Sequence, residues 1–129
     1  MTKKEHIEYW LNSAKEDMET MNYLYTGKRY VHALFFGHLY MEKICKALWV
    51  KNNRDNHPPK IHNLLRLLSG IEIGLEQNDL LFLDELEVYQ LEGRYPDYAN
   101  ALIKQTTKKI TEDYFKKIKS ISKWLQQKL

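Results

Sequence analysis

The sequence predicts an all-α protein, an antiparallel up-and-down bundle of four to five helices forming one domain over residues 1–129. Three observations carry this expectation. Apolar residues recur every three or four positions through most of the chain, which is the helical period. No stretch of useful length alternates with the period of two that a half-buried strand requires. The connections between periodic segments are short, and short connections make consecutive helices antiparallel neighbours. A chain of 129 residues fits one core, since domains cluster near ~100–150 residues. With 43% apolar and 29% charged residues, five Gly and three Pro, collagen-like, low-complexity and wholly disordered classes are excluded.

Ile7, Trp10, Leu11, Ala14, Met18, Met21 and Tyr25 step by threes and fours and form one apolar stripe of a first helix, which Gly27 is expected to stop near Thr26-Gly27-Lys28. The second segment, Arg29 to about Lys51, is apolar around most of its circumference, with Val31, Leu34, Phe35, Leu39, Cys45, Leu48 and Trp49 on more than one face. A helix of that kind belongs at the centre of a bundle, and truncating Phe35 there is expected to cost ~3–5 kcal/mol if its ring is fully buried. Asn52 to Pro59 is polar and ends in Pro-Pro, the composition of a surface loop. A short helix over about His62 to Ser69 follows, closed by Gly70. Asn78 or Asp79 is placed to cap a fourth helix carrying Leu80, Leu83, Leu86 and Leu91, which Gly93 and Pro96 break. The last helix is expected to start at Thr111, with Ile110 and Phe115 flanking its first turn, and to bury Tyr114, Ile118, Ile121, Leu125 and Leu129.

Charge is segregated along the chain. Residues 1–71 hold 11 basic and 7 acidic side chains, 72–97 hold 1 and 8, and 98–129 hold 8 and 2, for net charges of +4, −7 and +6 and a total of +3. One reading has the acidic and basic helices attract one another within the fold. The other makes the lysine-rich segment Lys104 to Lys128 a phosphate-contacting surface, against which its lysines do not fall on one face. The single cysteine, Cys45, excludes an intrachain disulfide and a cysteine-based zinc site, and reads as buried packing. The first residues, Met1 to His6, lead into the amphipathic pattern without the apolar core of a secretory signal, and no apolar run approaches the ~20 residues of a membrane span. A cytoplasmic location away from the membrane is the expectation.

Five short elements stand in a distinctive order: Trp10-Leu11-x-x-Ala14-x-x-Asp17; Gly27-x-x-Tyr30-x-x-Ala33-x-Phe35-x-x-His38; Met41-Glu42-Lys43-x-x-Lys46-Ala47-Leu48; His62-Asn63-Leu64; and Arg94-Tyr95-Pro96-Asp97-Tyr98. In these the chain resembles the HEPN domain family over nearly its whole length. The resemblance implies a bundle of four or five helices, often a homodimer, and in small prokaryotic members frequently a partner of a minimal nucleotidyltransferase in a toxin–antitoxin-like pair. Active ribonucleases of the family share an arginine followed, after four to six residues, by a histidine. Metal-independent RNA cleavage needs a proton-transfer group for the 2′-hydroxyl and a fixed cation for the phosphorane charge. Arg94 matches the arginine, but Ala99, Asn100 and Ala101 occupy the histidine positions, and no histidine follows His62. Asn100 hydrogen-bonds but does not titrate near neutral pH.

His38, Glu42 and Lys46 stand four apart on the second helix and so share one face. By the resemblance, an acidic residue on this helix lies near the motif arginine, so Glu42 is expected to pair with Arg94; an ordinary ion pair orienting the last loop is the competing reading. A metal held by His38, Glu42 and His62 was the third alternative, and neither a metal nor a cofactor is expected. Tyr89, Tyr95 and Tyr98 either stack on bases or pack against a second subunit. The nucleotide- or RNA-binding set is therefore Arg94, Tyr95, Asp97, Tyr98 and Asn100 with His38, Glu42 and Lys46, Arg94 being the one catalytic candidate. Three functions follow: a non-catalytic nucleotide- or RNA-binding partner of a nucleotidyltransferase; an endoribonuclease toxin using Arg94 with a degenerate second residue; or a purely structural dimer.

Overall fold

The computed structural model describes residues 1–91 and 95–129, without the side chains of 96–98. Among the described residues there are six helices and no strand: α1 (Lys3–Thr26), α2 (Tyr30–Asn52), α3 (Leu64–Leu68), α4 (Gln77–Leu91), α5 (Pro96–Gln105) and α6 (Lys108–Gln126). The all-α helical bundle is as the periodicity predicts. α5 is the additional helix: Pro96, read as a breaker, opens it, because a proline in the first turn lacks only an N–H that would have no helical partner.

α1 begins with a capping box: Thr2 Oγ1 accepts from the Glu5 N–H at 3.1 Å, and Glu5 accepts from the Thr2 N–H at 3.2 Å. Its stripe turns inward, with Ala14 and Met21 fully buried. The turn that ends it differs from expectation, since Gly27 keeps φ at −80° and the left-handed position is taken by Lys28, with φ 61°. The Arg29 N–H then reaches back to the Leu24 carbonyl at 2.8 Å and closes the hairpin into α2.

α2 packs against α1, α3, α4, α5 and α6, and is the axis of the bundle. Ala33, Leu34, Met41, Ile44, Cys45, Ala47, Leu48 and Val50 are all essentially inaccessible, and Phe35 is half-buried. α2 crosses α1 and α6 closely at Gly37, where a Cβ would stand 2.9 Å from Ile118 Cδ1 and 3.2 Å from Met21 Sδ. Gly37→Leu is therefore expected to lower stability by about 1–3 kcal/mol in denaturant unfolding, through overpacking at this crossing. Gly37→Ala meets only the ends of flexible side chains and gains helix propensity, so its effect should be clearly smaller; equal losses for the two variants would contradict the close-crossing explanation.

At one end of the bundle three chain segments are tied by lysines. Lys3 Nζ donates to the carbonyls of Val50 and Asn53, each at 2.7 Å, satisfying groups at the C-terminal end of α2. Lys51 Nζ binds the carbonyls of Lys128 and Leu129 at 2.6 and 2.9 Å.

α3 is capped by Asn63, whose Oδ1 accepts from the Arg66 N–H at 3.0 Å. α4 starts at Gln77, so Asn78 and Asp79 lie in its first turn instead of capping it. Asp79 instead pairs with Lys117 of α6 at 2.9 Å, one direct link between the acidic segment and the basic one. α6 begins at Lys108 with Thr107 as its cap, accepting from the Ile110 N–H at 3.2 Å. Thr111, expected as the cap, is wholly buried and donates to the Thr107 carbonyl at 2.8 Å. Both threonines suit a cap chemically, and the packing of Phe115 and Ile118 selects the earlier one. Ile118, Ile121 and Leu125 are buried as expected. No helix among the described residues is long and apolar enough to cross a membrane.

Candidate functional site

A cluster of ionisable side chains lies inside the bundle where α2 and α4 meet the segment leading into α3. The four-residue spacing of His38, Glu42 and Lys46 stacks them along one line of α2, and because α2 is central that line faces the interior. His38 is fully buried, Glu42 is 4% exposed and Lys46 8%. Lys46 Nζ binds Glu42 Oε2 at 3.0 Å and lies 5.2 Å from the centre of the Trp10 ring on α1, a cation–π contact.

Glu42 divides its oxygens. While Oε2 takes Lys46, Oε1 lies 3.1 Å from His62 Nδ1 and 3.9 Å from His38 Nδ1. On the far side of the His38 ring, Nε2 is 3.2 Å from Glu87 Oε2 on α4, and Glu87 Oε1 accepts from the Leu64 N–H at 2.8 Å. The result is an alternating chain, Glu87–His38–Glu42–His62, running from the interior outward. Only its last member reaches solvent, the His62 side chain being 52% exposed. Carboxylates have no hydrogen to give, so the Nδ1 of His62 is the donor to Glu42 and its Nε2 is left as the free ring nitrogen.

Burying two carboxylates is costly unless each is paired and hydrogen-bonded. Glu42 meets that condition through Lys46 and His62, and Glu87 through the Leu64 N–H and the His38 ring. Cys45, on the same helix, is fully buried, and its thiol is pushed well above its ordinary range by that burial and then by the charges of Glu42 and Glu87. It stays a protonated thiol and is no nucleophile.

Sequence reasoning finds His38, Glu42, Lys46 and His62 and misses Glu87. The signal was present: Leu83, Glu87 and Gln90 stand four and three apart on the buried stripe of α4, and a charge on an apolar stripe needs a partner. The other candidates are not gathered with this cluster. Tyr89 is buried, its hydroxyl hydrogen-bonded to Thr106 Oγ1 at 2.9 Å and its ring edge-on to Tyr114; burial raises its pKa, the Thr106 bond partly opposing this. It belongs to the core and is not a stacking platform. Tyr95 is 60% exposed, and Asn100 is exposed on α5. Arg94 and the side chains of Asp97 and Tyr98 lie outside the described residues, and with them the expected Arg94–Glu42 pair. Among the described residues no group of three or more His, Cys, Asp and Glu side chains is arranged to hold a metal ion.

An all-helical bundle built around a central, nearly all-buried helix, with a glutamate and lysine of that helix joined to a histidine ahead of a short third helix, defines the class of protein. The chain belongs to the HEPN family: the HEPN domain model matches residues 7–128. No curated protein and no solved structure shows significant similarity to it.

Proposed function

We propose that this HEPN protein binds nucleotide or RNA through the segment Arg94 to Asn100, works as a homodimer, and partners a minimal nucleotidyltransferase in a toxin–antitoxin-like module. The observation that carries the reading is the composition of that segment. An arginine, protonated at all accessible pH values, stands beside exposed Tyr95 and Asn100, and the positions where a ribonuclease of the family has its histidine hold Ala99, Asn100 and Ala101. Arginine holds phosphate by charge-assisted hydrogen bonds but takes no proton from a 2′-hydroxyl. The internal neutralisation of Glu42 by Lys46 supports a positioning role for the α2 cluster behind this surface.

The expected result is salt-sensitive binding of a single-stranded oligoribonucleotide or a nucleotide, weakened by Arg94→Ala by about tenfold, the effect of losing a charged hydrogen bond worth ~1.5 kcal/mol. Titration by fluorescence anisotropy at two salt concentrations checks it, and unchanged affinity in Arg94→Ala counts against the segment. For the dimer, sedimentation showing a monomer at tens of micromolar counts against that part. The second reading, a metal-independent endoribonuclease, is favoured by one observation, the half-exposed His62 held by a buried carboxylate.

A further inference from the structure

We propose that His62 is the proton-transfer residue of this protein, acting on the 2′-hydroxyl of bound RNA in place of the histidine missing after Arg94. The inference rests on the reading above, that RNA binds at the Arg94 segment with Glu42 close behind it. It adds a residue far away in sequence, which the spacing of the arginine motif does not reach.

Three features of the geometry point to proton transfer. First, the 3.1 Å contact between His62 Nδ1 and Glu42 Oε1 fixes the ring and its tautomer, leaving Nε2 as a lone-pair acceptor when the ring is neutral. A carboxylate in this position also stabilises the imidazolium formed once the ring takes a proton. Second, Glu42 is itself immobilised by Lys46 at 3.0 Å and is 4% exposed, so the dyad is held from behind in a water-poor setting. Third, the segment carrying His62 is anchored two residues later, where the Leu64 N–H binds Glu87, and Glu87 is tied through His38 to the same cluster. The charged and titratable groups behind the dyad are thus His38, Glu42 and Lys46 from α2 and Glu87 from α4. A merely structural ion pair does not require its histidine to stand half in solvent while every other member of the chain is buried.

The step balances without a co-reactant. His62 Nε2 takes the proton of the ribose 2′-hydroxyl as its oxygen bonds to the adjacent phosphorus; the bond from phosphorus to the 5′ oxygen of the next nucleotide breaks. The imidazolium returns the proton to that leaving oxygen, giving a 2′,3′-cyclic phosphate and a 5′-hydroxyl. Arg94 carries the added negative charge on the phosphoryl oxygens. Glu42 acts through His62 and is a positioning residue.

The test uses a labelled single-stranded oligoribonucleotide and the full chain without the nucleotidyltransferase, comparing wild type, His62→Gln and His62→Gly, with affinity measured in parallel. Glutamine keeps a donor for Glu42, so His62→Gln preserves the fold. Cleavage by the wild type to cyclic-phosphate ends is expected, falling about 10²-fold or more in His62→Gln, with RNA affinity within about twofold of wild type. Added imidazole should partly restore His62→Gly, and a purely structural residue gives no such rescue. Equal cleavage in His62→Gln overturns the proposal, as does a wild type that binds RNA but leaves it intact, a result that leaves the binding reading standing. A wild type that binds no RNA overturns the binding reading and this inference with it.

Discussion

Glu42→Ala should destabilise the fold by about 3–5 kcal/mol, the range for breaking a buried ion pair from one side. The cause is what the substitution leaves behind. Lys46, 8% exposed, would keep its ammonium in the interior with only the Trp10 face beside it, and His62 would lose the acceptor that holds it. Glu42→Gln keeps the shape and an oxygen for Lys46, so its cost should be visibly smaller. Replacing both partners, as in Glu42→Leu with Lys46→Leu, removes the orphaned cation and should recover part of the loss. Chemical denaturation of the four proteins checks this, and a Glu42→Ala loss under about 1 kcal/mol would show that Lys46 reaches solvent without its partner.

A comparable loss, about 2–5 kcal/mol, is expected for Leu34→Ala. Leu34 is fully buried on α2, where α1 and α6 close over the helix and Gly37 already brings the backbones together. Tight packing of that kind leaves the surroundings little room to collapse into the space vacated by the side chain, so the cavity cost adds to the lost transfer free energy. Phe35→Ala should cost less than the ~3–5 kcal/mol expected for a fully buried ring, because Phe35 is half-buried and rests edge-on against Phe36. Unfolding midpoints for the two variants decide the order, and a larger loss at Phe35 than at Leu34 would reverse this account of the core.

How far the site was legible in the sequence follows from how local each signal is. The four-residue spacing of His38, Glu42 and Lys46 is a property of one helix, so their shared face was readable directly. Glu87 was not found, because its role depends on α4 lying against α2, and its only local trace is a charge on an apolar stripe. His62 could be named as a histidine near a helix start, but its pairing with Glu42, 20 residues earlier, is a tertiary contact. The capping errors have the same origin. Thr107 and Thr111 are equally good caps as isolated residues, and Gly27 is a better left-handed residue than Lys28, yet Thr111 is needed inside and the hairpin closes at Lys28. α5 was missed because Pro96 was taken to end one helix when it begins another.

By itself the sequence determined the fold class, the centrality of α2, the family, and the absence of a histidine after Arg94. Each of these follows from composition, period or order along the chain, which survive without coordinates. Only the tertiary structure decided that the α2 face bearing His38, Glu42 and Lys46 turns inward instead of forming an open surface. It also decided that Glu87 and the segment before α3 complete this cluster, and that a single histidine, His62, carries it to solvent. The physical reason is that periodicity fixes which residues share a helix face but not what that face meets. A buried carboxylate is compatible with folding only when other elements bring it donors, and here those donors come from distant parts of the chain.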